Sequence, residues 1–103
     1  QTVQAQAVSR FPAVRRDLAL LVAETVEVEA LATSLRAAAS KLVTEIALFD
    51  VYRGKGVEEG KKSLAFKVLM QDTARTLTDA EVDSVMQDLI AAAANSHAAQ
   101  LRL

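Results

Sequence analysis

The stretch that decides the fold is Ile46–Gln71, IALFDVYRGKGVEEGKKSLAFKVLMQ. It reads as two strands joined by a loop that holds all three glycines of the chain, Gly54, Gly56 and Gly60. Glycine supplies the positive φ angles that a tight reversal needs. After the loop, Leu64, Phe66, Val68 and Met70 alternate with Ser63, Ala65, Lys67, Leu69 and Gln71. That period of two marks a strand with one buried face. Before the loop, alternation puts Asp50 and Tyr52 on one face and Phe49 and Val51 on the other. Pairing Arg53 with Lys62 sets Tyr52 opposite Ser63 and Asp50 opposite Ala65. A carboxylate, a phenol and a hydroxyl then share the face turned away from Phe66.

Working outward, Ile46, Leu48, Phe49 and Val51 do not fit one strict alternation, which points to a β-bulge. Upstream, Leu31, Leu35, Ala38 and Leu42 recur at steps of three and four, giving an amphipathic helix over about Val28 to Leu42. Earlier still, Leu18, Leu20 and Val22 alternate through a first strand over 16–22. Pro12, the only proline, biases Phe11 toward an extended approach to it. Downstream, Thr78 and Glu81 have the spacing of a capping box, and Leu77 and Val82 that of a hydrophobic staple. A second helix over Thr76 to Ala94 buries Val82, Val85, Met86, Leu89 and Ala93. A short final strand closes the chain over 98–103.

The order strand, helix, strand, strand, helix, strand predicts an α+β, ferredoxin-like split βαβ sandwich: an antiparallel four-stranded sheet with two helices on one face. Residues 1–8 read as a linker or edge segment and 9–103 as one domain. The open face collects Asp17, Ala19, Leu21, Asp50, Tyr52, Ser63, Ala65 and Lys67, joined by Gln100 and Arg102.

Composition limits what this face can do. The chain has 103 residues, 51% of them hydrophobic, enough for one real core. It has no cysteine and one histidine, His97, so neither a thiolate site nor a transition-metal cluster can be assembled. A reducing, intracellular setting is the natural reading of a chain without cysteine, which does not by itself establish it. No apolar run reaches the ~18 residues of a membrane span. The opening QTVQAQAVSR has no signal pattern and no initiator methionine, and reads as cut from a longer chain. Net charge is −1, against a strong sequence-blind nucleic-acid binder, yet Arg10, Arg15 and Arg16 cluster without an acid between them.

Catalysis is hard to build from these residues. His97 has no serine–carboxylate context for a triad. The loop RGKGVEEGKKS joins two strands and lacks the spacing of a phosphate loop. An acylphosphatase-like enzyme of the same topology would carry glycines after the first strand, where LLVAETVEV has none. A binding face is better supported: sheet-face readers of single-stranded RNA stack an aromatic on an unpaired base and hold phosphates with Lys or Arg. Tyr52 therefore has two readings, a base-stacking ring or an edge-of-core tyrosine with a satisfied hydroxyl. The open face likewise suits a protein-docking module.

Four motifs then carry a resemblance. They are Phe11-Pro12 with Arg16-Asp17-Leu18-Ala19, Leu48-Phe49-Asp50-Val51-Tyr52-Arg53-Gly54, Gly60-Lys61-Lys62-Ser63-Leu64-Ala65-Phe66, and Arg75-Thr76-Leu77-Thr78-Asp79-Ala80-Glu81-Val82. In this order, from about Ser9 onward, they resemble the C-terminal ferredoxin-fold anticodon-binding domain of bacterial phenylalanyl-tRNA synthetase β subunits. The glycine that such domains often carry before the final strand is replaced by Ala98-Ala99. The resemblance implies a non-catalytic, cytoplasmic module that holds the anticodon stem-loop of phenylalanine tRNA. It implies a parent enzyme that uses ATP and Mg²⁺ in an (αβ)₂ assembly, with catalysis in the α subunit and no cofactor in this domain. It also implies that Asp50, Tyr52 and Ser63 contact the anticodon, whose first base is guanine. Arg10, Arg15, Lys61, Lys62 and Lys67 are the candidates for phosphate contacts.

Overall fold

Among the described residues the chain runs β1 (Val14–Ala23), α1 (Val28–Ala38), β2 (Val43–Tyr52), β3 (Lys61–Met70), α2 (Asp79–His97) and β4 (Gln100–Leu101). These elements belong to a computed structural model that describes residues 11–102. The segment expected as a linker and the candidate Arg10 lie outside that range.

The four strands form one antiparallel sheet in the order β2-β3-β1-β4, so β3 and β1 are central. This is the ferredoxin-like arrangement expected from the element order. Alternation along β1 and β3 explains which face is buried. Leu18, Leu20 and Val22 pair across the strands with Phe66, Leu64 and Lys62. The apolar members of that set join Val68 and Met70 in the core beneath Leu31 and Leu35 of α1 and Val82, Val85, Leu89 and Ala93 of α2. Fully burying a Leu, Val or Phe side chain contributes ~1.5–3 kcal/mol, so this face holds the fold together.

The helix ends are set by local chemistry. Thr78 Oγ1 accepts from the Glu81 amide at 3.2 Å and the Glu81 carboxylate accepts from the Thr78 amide at 2.9 Å. Each side chain thereby satisfies an amide that the helix start leaves free. Leu77 and Val82, both buried, close the staple. Helix α1 stops at Ala38, short of the apolar period that continues to Leu42. Ser40 explains the stop: its hydroxyl accepts from the Leu42 amide and its carbonyl from the Val43 amide, both at 3.0 Å. A serine that bonds nearby backbone in this way competes with the helix. Helix α2 is capped at its C-terminus by Ala98, whose φ of 54° is left-handed. That conformation lets the Ala98 and Ala99 amides reach the Ala94 and Ala93 carbonyls at 3.0 and 3.2 Å.

Candidate nucleic-acid interface

The hairpin positions the site. Tyr52 lies opposite Ser63 and Asp50 opposite Ala65, the register expected from the sequence. Residues directly opposed in an antiparallel pair have Cβ atoms about 4.5–5.5 Å apart. Asp50, Tyr52 and Ser63 therefore form one cluster on the face away from Phe66. No side-chain hydrogen bond or ion pair involves Asp50 or Ser63 among the described residues, and Ser63 is only 2% exposed. A buried hydroxyl without a partner normally costs free energy.

Tyr52, in contrast, is held at both its tip and its ring. Its hydroxyl donates to the Lys55 carbonyl at 2.7 Å. Gly54, at a φ of +123° that a side chain would strain, turns the loop back so that this carbonyl arrives. The Arg102 guanidinium lies 4.9 Å from the ring centroid, within cation–π range. Arg102 sits just past the edge strand, its amide donating to the Ala19 carbonyl at 2.8 Å. To meet Tyr52 its side chain must cross β1 and β3 over the open face.

The bulge corrects one expectation. β2 slips register between Leu48, opposite Phe66, and Asp50, opposite Ala65, so Phe49 is the extra residue. Its ring lies 5.4 Å from the guanidinium of Arg15, which belongs to the open-face set of β1. Phe49 therefore joins Asp50 and Tyr52 on the open face rather than sharing the opposite face with Val51. The irregular spacing of Ile46 to Val51 signalled a bulge, but not which residue it would turn. Between the two arginine–aromatic pairs, Ala19 faces Ala65 across β1 and β3. Together they make a low floor.

The basic candidates separate. Arg15 is on the open face, its Nε bonded to Asp17 Oδ1 at 2.9 Å. Lys67 is on it too, with Nζ 3.2 Å from Glu45 Oε2. Lys61 is at the loop end of β3, 3.7 Å from Glu58. Lys62 is not brought to this face. Its side chain is 9% exposed and sits on the covered side, with Nζ 3.6 Å from Glu24. Glu24 also accepts from Arg53 at 2.5 and 2.6 Å, tying the end of β1 to the hairpin. The Arg53 hydrogen bonds hold the Glu24 carboxyl down at about 2, well below the usual carboxylate range.

Other surface features lead away from the sheet face. A cleft of about 430 Å³ lies between the end of α1 and the start of β2, bordered by Arg36, Ser40 and Thr44. Among the described residues no group of three or more His, Cys, Asp or Glu could hold a metal ion. Nor is any described helix long and apolar enough to cross a membrane.

Residues 9–102 match the family model of the ferredoxin-fold anticodon binding domain. The chain is also 59% identical over 101 residues to the phenylalanine–tRNA ligase β subunit of Chromobacterium violaceum, covering 98% of this chain and 13% of that protein. The β subunit of Nitrosospira multiformis is 52% identical over 99 residues, covering 96% of this chain and 12% of that protein. That of Dechloromonas aromatica is 53% identical over 95 residues, with 92% and 12% covered. The chain thus spans about one-eighth of the length of these relatives.

Proposed function

We propose, on the premise that this chain belongs to the ferredoxin-fold anticodon-binding family, that its open sheet face binds the anticodon stem-loop of phenylalanine tRNA and reads the first anticodon base. The observation that carries this reading is the cluster itself: a braced ring beside a carboxylate and a buried hydroxyl that have no side-chain partner among the described residues.

Each group then has a task suited to its chemistry. Guanine presents N–H donors on its Watson–Crick edge, and the two oxygens of Asp50 can accept both. The Ser63 hydroxyl can donate or accept, and completes the edge contacts. Tyr52 offers its π face for stacking, with Arg102 supporting the other side of the ring. Arg15, Lys61 and Lys67 are available to phosphates, which position RNA without reading it. Lys62 has no part in this scheme because it is buried against Glu24. The parent protein, by its relatives' name, is a phenylalanine–tRNA ligase β subunit. We place its ATP and Mg²⁺ chemistry, and its α-subunit partner in an (αβ)₂ assembly, outside this chain.

The test is a titration of the 103-residue chain with a phenylalanine anticodon stem-loop at one fixed salt concentration. Tyr52→Ala should weaken binding by ~1–3 kcal/mol, the worth of one base–aromatic stack. The loss should be similar whichever base comes first, since every base has a π face. A Tyr52→Ala protein that binds the stem-loop as tightly as the parent contradicts the stacking role. A parent chain with no affinity for the stem-loop leaves protein docking as the use of this face.

A further inference from the structure

The open face carries a second aromatic that this reading does not use. Phe49 is 52% exposed, more than the other exposed large hydrophobics Leu48, Val51 and Leu101. The bulge turns it to the open side, and bulges commonly re-aim a side chain in this way. Arg15 lies over its ring at 5.4 Å and is itself steered by Asp17. The arrangement parallels Tyr52 beneath Arg102 at the other end of the alanine floor.

We propose that Phe49 and Arg15 form a second nucleotide station, which takes another unpaired nucleotide of the same RNA strand. The base stacks on the Phe49 ring and the Arg15 guanidinium meets its phosphate. Phe49 and Tyr52 are three residues apart on one strand, roughly 10 Å at the usual rise. Stacked bases follow one another at only about 3.4 Å. The two rings therefore suit two bases splayed out of the loop's own stack, the form in which single-stranded RNA is commonly read. Ala19 and Ala65, paired across β1 and β3, put only methyl groups on the sheet between the two rings. Exposed rings that each lie against an arginine are the pairing that single-stranded nucleic-acid binders use, the ring for a base and the guanidinium for a phosphate or a cation–π contact.

The inference rests on the reading that an unpaired base occupies Tyr52, and its test keeps the two apart. The 103-residue chain is titrated with a phenylalanine anticodon stem-loop and with versions lacking one base at each loop position in turn. Phe49→Leu keeps apolar bulk in the bulge but removes the π face. It should weaken binding about 5- to 150-fold with an unchanged thermal midpoint, while Phe49→Tyr should bind like the parent. The Tyr52→Ala loss should vanish on the RNA that lacks the first anticodon base. The Phe49→Leu loss should persist on that RNA and vanish at one different loop position. If both losses vanish at the same position, the two rings share one base and the second station is wrong. If Phe49→Leu binds like the parent while Tyr52→Ala does not, the second station fails and the Tyr52 reading stands. If only Phe49→Leu weakens binding, the Tyr52 reading fails and the station stands alone. If neither variant changes binding, both are wrong.

Discussion

On the covered side of β3, Leu64, Phe66, Val68 and Met70 have no exposed surface, each packed beneath the two helices. On the other side of the same ten residues, Ser63, Ala65, Lys67 and Leu69 alternate onto the face turned away from the two helices. One face has exhausted its interactions within the fold. The other keeps a carboxylate and a hydroxyl without partners among the described residues and holds two rings beneath arginines. A face that served stability alone would satisfy its buried hydroxyl or replace it with an apolar group. The contrast teaches that the covered face is explained by packing and the open one by something the domain meets.

The largest effect should come from the covered face. Phe66→Ala removes a fully buried ring and should cost ~3–5 kcal/mol in denaturant unfolding. A cost under ~1 kcal/mol would show that the helices do not seal this face. One residue along, the open face should respond in the opposite sense. Ala65→Val adds methyl groups to the floor at a strand position that favours β-branched residues. Stability should hold while stem-loop binding falls about tenfold, or ~1.4 kcal/mol. Unchanged binding would mean that the RNA does not approach the floor between the rings.

Much of this contrast was legible in the sequence, and the reasons differ by residue. The alternation of Leu64, Phe66, Val68 and Met70 gave the covered face, because a strand's side-chain period is two. The Tyr52–Ser63 register followed from the hairpin, and the Thr78–Glu81 box from its spacing. Lys62 shares the alternation of Leu64, so its place on the covered side was readable, but its glycine-loop setting and positive charge suggested a phosphate contact. Phe49 was hidden because a bulge resets alternation at one residue, and nothing local identifies which. Arg102 was placed on the open face by its strand, while its reach across two strands to Tyr52 is a tertiary contact without local pattern.

Smaller effects sharpen the account of the elements that frame both faces. Ala98 holds a φ of 54° where glycine is at ease. Ala98→Gly should stabilise the domain by about 0.5–1 kcal/mol, the left-handed strain of an alanine less the entropy of a freer unfolded chain. A loss of stability would mean that the Ala98 methyl packs usefully. The smallest effect concerns the Glu24–Arg53 pair at the hairpin end. Because the Arg53 hydrogen bonds depress the Glu24 pKa from 4.5 to about 2, its stabilising contribution is complete above 4.5 and disappears as pH falls through about 2. The stability difference between the parent and Glu24→Gln should shrink across that window. A difference that stays constant from pH 5 to below 2 would remove the pair from the acid response.

The central claim, that the Asp50 carboxylate on the open face reads a guanine, is tested most directly by Asp50→Asn against two stem-loops. One carries guanine as the first anticodon base and the other adenine, at the same salt concentration. Asparagine keeps the size of the side chain but turns one acceptor into a donor, so two guanine N–H groups can no longer both be accepted. Binding of the guanine stem-loop should fall about tenfold or more, since a good bidentate pair discriminates bases by ~1–3 kcal/mol. The adenine stem-loop should change little or gain, with the thermal midpoint unaltered. Equal weakening of both RNAs together with a lower midpoint would make Asp50 a structural residue and contradict the account.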